Sequence, residues 1–350
     1  MTRQRMKCWV LQPWLWALAV VLLVDHVGAG WFCSTMQPYL DPAKQETMFA
    51  HAQVHKARTC DRLTVLLIGS SVIRTNIDAE LLPQLLGADV ECTCVAINGA
   101  DAASLLCFEH WLLDTRPAVC VVQTFTAYFQ EELRWGAINR VTSPSFLELL
   151  THDPSEYGLP FLRESHHVAD ALLGIVFPSY RLRDDLRTNT FDNLVSLIFQ
   201  RTFVPPAPEP RDPDKVNIKV ARRLAIRREQ LAGPPSVYTD LQWFACGRVL
   251  DLLKQRSNQV LAYDPPLHPV WDEFERDFGE KNLARLEPML AEKRIALLAP
   301  RETLGLDEND FMDSVHLSPT GTDKQTRQLA EKIRPMLQNM ATSGTGRVQP

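Results

Sequence analysis

Two short segments near opposite ends of the chain carry side chains that could act as a nucleophile and its base. The run LLIGSSVIRTNI, residues 66–77, leaves an apolar stretch at a glycine and continues with Ser70 and Ser71. The run FMDSVHLSPTG contains Asp313 and, three residues later, His316. A serine hydroxyl becomes a good nucleophile when an imidazole takes its proton, and a carboxylate on Nδ1 turns Nε2 toward that hydroxyl. The pattern predicts a triad of one of these two serines with His316 and Asp313, although either hydroxyl could instead cap the following helix.

The elements around these segments predict how they meet. Short apolar runs alternate with helical patterns, which is typical of a parallel sheet covered by helices. Five runs predict five strands, namely TVLLIGS, ADVECTCVAIN, PAVCVVQTF, NQVLAYDPP and RIALLAP. The carboxyl ends of parallel strands share one edge of the sheet, where α/β proteins bind their ligands. Because the serines follow the first strand and the histidine follows the last, we expect both at that edge.

A glycine after the second predicted strand could complete the site. Gly99 lies in VAINGADAAS and has no side chain to obstruct its amide. Together with the amide of Ser71, it would supply two donors for a developing oxyanion. The simpler interpretation is an ordinary strand-to-helix turn glycine.

Three motifs at these positions resemble conserved blocks of the SGNH, or GDSL-like, hydrolase superfamily. They match blocks one, two and five as Gly69-Ser70-Ser71, Asn98-Gly99-Ala100 and Asp313-Ser314-Val315-His316. The chain resembles more closely the membrane-anchored bacterial SGNH-like proteins that accompany polyol or polysaccharide acylation. The resemblance covers residues 64–340 and implies a three-layer α/β/α sandwich. It also implies Ser71 as nucleophile, His316 as base and Asp313 as its orienting partner, with no cofactor.

The third block of that superfamily is different here. Its asparagine, which donates to the oxyanion, has no counterpart in VVQTFTAYF after the third strand. Gln123 carries a suitable amide, and Thr124 or Thr126 could donate instead. Loss of one such donor commonly costs ~3 kcal/mol of transition-state stabilisation, which would slow turnover without abolishing it.

Two further residues are candidates for substrate contact. Asn98 belongs to the second block, and His268 lies in the proline-framed loop DPPLHPVW after the fourth strand. For His268, a role in packing is an equally reasonable interpretation. Adjacent His166 and His167 would point in different directions on a regular element, and we therefore expect no metal site.

The chain divides into six predicted segments. The proline-rich loop VPPAPEPRDPD and the irregular stretch around it separate two halves of one domain. The basic run KVNIKVARRLAIRREQL predicts an amphipathic helix, either with a solvated face or with a surface for an anionic ligand. The segments are an N-terminal anchor or signal (1–30), a linker (31–63), the first half of the domain (64–129), a helical insertion (130–233), the second half (234–340) and a disordered tail (341–350).

The N-terminal segment predicts a location outside the cytoplasm. Arg3, Arg5 and Lys7 precede an apolar stretch over residues 9–24, which is either a short membrane anchor or a cleaved signal peptide. The alternative interpretation of this apolar stretch is a helix buried in the core of the protein. In an oxidising compartment Cys33 and Cys60 could pair.

Composition narrows the function classes. The chain has 37 basic and 42 acidic residues, a net charge of −5, and so offers no overall attraction to nucleic acid. The leading hypothesis is an esterase or O-acyltransferase acting on acyl esters, with an envelope glycan as the substrate class. The alternative is a non-catalytic SGNH-like protein that binds glycan or partners a membrane acyltransferase.

Overall fold

The structure is a computed structural model that describes most of the chain from residue 46 onward. The described residues are 15–25, 28, 32–33, 35–36, 46–108, 112, 115–124, 132–183, 185, 212–232, 236–298 and 305–342. Within these ranges, none of the helices combines the length and the apolar character needed to cross a membrane. Most of the proline-rich loop, the Thr126 position and residues 343–350 lie outside the described ranges.

Five parallel strands form the single sheet found in the described residues. Their order across the sheet is β2-β1-β3-β4-β5, which places the first strand between the second and third. The predicted α/β class with a five-stranded parallel sheet is therefore confirmed. The strands are β1 (Leu63–Gly69), β2 (Val90–Ala96), β3 (Val119–Gln123), β4 (Gln259–Tyr263) and β5 (Ala296–Leu298).

Helices cover both faces of this sheet. Residues 15–25 are helical, and from residue 46 onward the α-helices are α1 (Glu46–Thr59), α2 (Ser71–Asn76), α3 (Leu81–Leu86), α4 (Ala102–Phe108), α5 (Trp135–Val141), α6 (Phe146–Thr151), α7 (Pro154–Arg163), α8 (Ser165–Val176), α9 (Pro178–Arg181), α10 (Pro213–Ala232), α11 (Thr239–Arg256), α12 (Pro269–Lys293) and α13 (Pro319–Thr342). Alternate side chains of β1 point to opposite faces, since a strand has a period of two. Leu66 and Ile68 join a core with α4 and α11, whereas Val65 and Leu67 join a core with α3 and α13. The result is a three-layer α/β/α sandwich.

The described parts of the stretch between β3 and α11 are mostly helical. Its first helix, α5, packs Trp135, Ile138 and Val141 into the same core as the sheet. Its last helix, α10, contributes Val216, Val220 and Leu224 to a separate cluster with Val72, Leu267, Trp271 and Val315. The predicted basic helix is therefore anchored by its apolar side over the loops that follow β1 and β5.

Part of the segment predicted as a linker is an ordered helix. Helix α1 buries eight of its residues, including Ala50 and Val54 in the main core. Cys33 and Cys60 do not form the disulfide considered above, because both are free thiols. Helix α1 is thus part of the folded body.

The end of β1 leaves room for a neighbouring side chain. A Cβ at Gly69 would collide with the carboxamide oxygen of Gln123 and lie 2.7 Å from its Cβ. Gly69 is therefore the residue that allows Gln123 to pack across the end of the strand.

We expect Gly69→Ala to destabilise the protein by about 1–3 kcal/mol, because the added methyl overpacks a buried position. The midpoint of urea unfolding measures this effect. Gly158→Ala is the control, because its added methyl meets open space within helix α7. That variant should be neutral or more stable by about 0.5–1 kcal/mol, and equal behaviour of the two variants would contradict the steric account.

Candidate active site

The two adjacent serines have different structural positions. Ser70 is buried and is the N-cap of α2, where its Oγ accepts a hydrogen bond from the amide of Val72 at 3.2 Å. Ser71 is the first residue of that helix and is only half-buried. Capping therefore uses the first hydroxyl, which leaves the second at the carboxyl edge of the sheet.

The hydroxyl of Ser71 meets the predicted base. Ser71 Oγ lies 3.1 Å from Nε2 of His316, although the two residues are 245 positions apart. Nδ1 of His316 lies 2.8 Å from Oδ2 of Asp313. Since an ionised carboxylate only accepts hydrogen bonds, the proton belongs on Nδ1, and Nε2 is left to accept from the serine. The structure thus brings together all three residues of the predicted triad.

The loop that carries the histidine is folded around the carboxylate of Asp313. Oδ1 of Asp313 accepts from the amides of Val315 and His316, each at 2.9 Å. Burial alone would raise the pKa of Asp313. That effect is outweighed by the hydrogen bond and charge of His316, by the hydrogen bond from the Val315 amide and by the charge of Arg223. Together these groups hold the pKa of Asp313 well below its usual range. Asp313 therefore stays ionised at every pH at which the protein would act.

Arg223 of helix α10 is a site residue that the sequence did not single out. Its Nη1 donates to Oγ of Ser314 at 3.1 Å, and its Nη2 lies 3.6 Å from Oδ2 of Asp313. The sequence predicts for this basic helix either a solvated face or a surface for an anionic ligand. One of its arginines instead faces the triad carboxylate, and no local pattern distinguishes Arg223 from its neighbours.

Asn76 joins the helix of the nucleophile to the loop of the base. It is fully buried at the end of α2, where its Nδ2 donates to the Val315 carbonyl at 3.0 Å. Its Oδ1 accepts from the Leu317 amide at 2.9 Å. The Asn76 side chain thus hydrogen-bonds to the backbone on both sides of His316, as a neighbouring β-strand would. An asparagine at the end of a short helix was the only sequence signal for it.

The turn after β2 provides the second predicted oxyanion donor. Gly99 has a φ of 72°, in the left-handed region that favours glycine, and it lines the same pocket as Ser71. Among the described residues, neither the Ser71 amide nor the Gly99 amide donates to another group. The two predicted donors therefore remain available for a ligand.

A carboxylate from outside the predicted domain holds this turn. Oε2 of Glu46, the first residue of α1, accepts from the Asn98 amide and from Nη1 of Arg140, both at 2.9 Å. Glu46 is buried, and Arg74 lies 3.9 Å from its other oxygen. The helix assigned to a linker therefore positions the turn that carries Gly99.

Gln123 does not have the geometry predicted for a third oxyanion donor. Its Oε1 accepts from the amide of Ser70 at 3.0 Å, and its Nε2 lies 3.1 Å from Ser70 Oγ. The carboxamide is drawn to Ser70 because it packs over Gly69 at the end of β1. Gln123 therefore holds the turn of the nucleophile. Thr124, the second candidate, donates its hydroxyl to the Tyr263 carbonyl at 3.3 Å.

The two predicted substrate contacts are also different in the structure. Oδ1 of Asn98 accepts from Nη2 of Arg74 at 2.6 Å, and Asn98 does not line the pocket. His268 is 1% exposed, packs its ring edge-on against Phe311, and also does not line the pocket. Packing, which was the alternative interpretation for His268, is therefore the correct one.

A pocket of about 420 Å³ opens beside the triad. Ser71, His316 and Gly99 lie in its wall, and the exposed residues Glu132 and Arg134 also border it. A ligand in this pocket would lie against the hydroxyl, the imidazole and the donor amides at once. The arrangement can carry out nucleophilic attack on an acyl group.

One cluster of metal-ligating side chains was not expected from the sequence. Glu164, His166 and His167 each place one ligand atom within 4.8 Å of the others. Nε2 of His167 lies 3.9 Å from Oε2 of Glu164, and the ring centroids of His166 and His167 are 3.9 Å apart. The prediction that His166 and His167 diverge is therefore wrong. None of the three residues lines the pocket.

No protein-family model matches the chain, and no curated protein matches it. A solved structure titled "Crystal Structure of TesA" is similar over 78% of this chain and 99% of that chain, with 10% sequence identity and a TM-score of 0.37.

We expect Asn76→Ala to lower the free energy of unfolding by about 2–4 kcal/mol, because it leaves a buried carbonyl and a buried amide without partners. Urea unfolding measures the loss. Asn98→Ala is the matched control, since that exposed side chain makes one hydrogen bond, to Arg74. The control should cost less than about 1 kcal/mol, and a loss as large as that of the Asn76 variant would contradict the clamping role.

Arg223→Gln should raise the pKa of Asp313, because it removes one of the charges that lower it. Stability gained from a carboxyl of depressed pKa is present above its unfolded value of about 3.9 and is lost as pH falls through its folded-state pKa. The variant should therefore unfold in acid at a pH higher by roughly a few tenths of a unit than the wild type. Circular dichroism during acid titration measures the midpoint.

Arg222→Gln is the control for this prediction, because Arg222 carries the same charge at an exposed position on the same helix. Its acid midpoint should match that of the wild type. An equal shift in both variants would assign the effect to net charge and would contradict the contact between Arg223 and Asp313.

Proposed function

We propose that this protein is a serine-dependent acyl-transfer enzyme that acts on acyl esters. The observation that carries the proposal is the continuous chain from Ser71 Oγ through His316 to Asp313, at 3.1 and 2.8 Å, in the wall of an open pocket. A hydroxyl held by an imidazole, which is in turn held by an ionised carboxylate, is the arrangement that activates serine for attack on a carbonyl.

The first half of the reaction forms an acyl-enzyme. Ser71 Oγ attacks the ester carbonyl carbon while Nε2 of His316 takes the hydroxyl proton. The carbonyl π electrons move to the oxygen, which faces the amides of Ser71 and Gly99. Collapse of this tetrahedral intermediate breaks the bond to the alcohol oxygen, and His316 returns the proton to that oxygen.

The second half of the reaction transfers the acyl group from Ser71. Water, or the hydroxyl of an acceptor, gives its proton to Nε2 of His316 and attacks the acyl carbon. Collapse of this second tetrahedral intermediate breaks the bond between the acyl carbon and Ser71 Oγ, and His316 returns the proton to that oxygen. Asp313 remains ionised throughout because its pKa is depressed, and its negative charge stabilises the imidazolium that forms twice in each cycle. With water the enzyme is an esterase, and with an acceptor hydroxyl it is an O-acyltransferase.

The proposal includes a location and a class of substrate. The basic residues before the apolar segment favour a protein held at the membrane with its body outside the cytoplasm, where an envelope glycan is the substrate class. Residues 15–25 are helical and expose large apolar side chains, which supports membrane contact by this segment. A membrane-bound acyltransferase is the partner that this location would suit.

A non-catalytic role is the second candidate, and one observation favours it. Gln123, the residue offered in place of the missing asparagine, is engaged with Ser70. An oxyanion hole of two amides stabilises the transition state less than one of three donors. In this alternative the pocket binds a glycan or a partner protein without turnover.

A fluorophosphonate probe separates the two candidates. We expect the wild type to be labelled, with labelling abolished in Ser71→Ala and retained in Ser70→Ala, because only Ser71 contacts the imidazole. Ser70→Ala should cost about 1 kcal/mol of stability through loss of the helix cap. His316→Gln should slow labelling by at least about 100-fold. Absence of labelling in protein that unfolds cooperatively would favour the non-catalytic role.

A further inference from the structure

The pocket extends well beyond the three triad residues. Its inner wall is formed by Leu105 from α4, Val122 from β3 and Cys246, Val249 and Leu250 from α11. All five side chains are buried members of the main core. Burial raises the pKa of the Cys246 thiol to about 12, so this thiol is neutral and acts as a small apolar group. The inner part of the pocket is therefore an apolar surface.

Two polar side chains that line the pocket, Gln242 and Asp101, are hydrogen-bonded within the protein. Nε2 of Gln242 donates to Oδ2 of Asp101 at 2.7 Å, and its Oε1 accepts from the Ala103 amide at 3.1 Å. Oδ1 of Asp101 accepts from the Ser104 amide at 2.8 Å. The exposed Glu132 and Arg134 lie at the solvent side of the same pocket. Polar parts of a substrate would therefore find their contacts at the rim, and apolar parts would enter the interior.

The volume of the pocket limits the size of the apolar part of a substrate. An engineered cavity of about 150 Å³ holds benzene, with its six carbons. With a similar volume per atom, the pocket of about 420 Å³ beside the triad has room for roughly fifteen non-hydrogen atoms. The reacting ester and the first atoms of its alcohol fill about a third of that space, and an acetyl group would leave most of the inner wall without a partner.

We propose that the site takes a medium-chain acyl group of roughly six to ten carbons, with the chain against Leu105, Val249 and Leu250 and the alcohol part at the polar rim. The proposal rests on the proposed function, because the chain length is defined from the carbonyl that Ser71 attacks. It narrows the acyl esters of the proposed function to esters of a longer, apolar acid.

The test is a series of p-nitrophenyl esters from acetate to dodecanoate. Each methylene that enters the apolar wall should raise kcat/KM by about fourfold, up to a maximum near octanoate, after which kcat/KM should fall. Turnover that is fastest with acetate, or independent of chain length, would overturn the proposal. If the fluorophosphonate still labels Ser71 in that case, the acyl-transfer function stands and only the chain-length inference fails.

Val249→Phe fills part of the inner wall. It should move the maximum to shorter chains and lower the octanoate-to-acetate ratio of kcat/KM at least tenfold. Leu162→Phe is the matched control at a position that is 70% exposed on helix α7, and its ratio should equal that of the wild type. An unchanged ratio in a folded Val249 variant would overturn the proposal.

A binding measurement keeps the test independent of turnover and of the folding of the Val249 variant. Calorimetric titration of the folded Ser71→Ala protein with decanoate and with acetate should give saturable binding of decanoate alone. Binding of decanoate by a protein that no fluorophosphonate labels would support the pocket and contradict the proposed catalysis. Absence of decanoate binding would overturn the pocket assignment.

Discussion

The site depends on one hydrogen bond, between Ser71 Oγ and His316 Nε2, that joins residues from the first and last parts of the fold. Two features make a 3.1 Å contact possible across 245 positions. The parallel sheet places the end of β1 and the loop after β5 at one edge. Asn76 then ties the helix of Ser71 to the backbone on both sides of His316. The sheet brings the two loops near each other, and the buried amide sets their distance.

Groups from three other parts of the chain support this contact. Glu46, before the sheet, holds the turn of Gly99. Gln123, at the end of the neighbouring strand, holds the amide of Ser70. Arg223, from the helix over the site, contacts Asp313 and Ser314. Each of these side chains is fixed by packing or charge, so the catalytic geometry is held from several directions before a ligand enters.

The sequence predicted the sheet and the triad, because both depend on signals that are local. Continuous apolar runs indicate buried strands, and parallel strands leave their carboxyl ends at one edge, which was enough to bring Ser71 and His316 together. The positions of Gln123, Asn98 and His268 were wrong or incomplete, because the direction of a side chain depends on neighbours distant in sequence. Gln123 turns to Ser70 since Gly69 leaves room for it. Asn98 turns to Arg74, and His268 packs on Phe311. Asn76, Glu46 and Arg223 were missed for the same reason.

The most direct test is a crystal structure of the protein after reaction with a short alkyl fluorophosphonate, which mimics the tetrahedral intermediate. The account predicts phosphorus bonded to Ser71 Oγ and a phosphonyl oxygen within hydrogen-bond distance of the amides of Ser71 and Gly99. His316 would face the position of the leaving group, and the alkyl chain would enter the pocket. An adduct on another residue, or a phosphonyl oxygen that turns away from both amides, would contradict it.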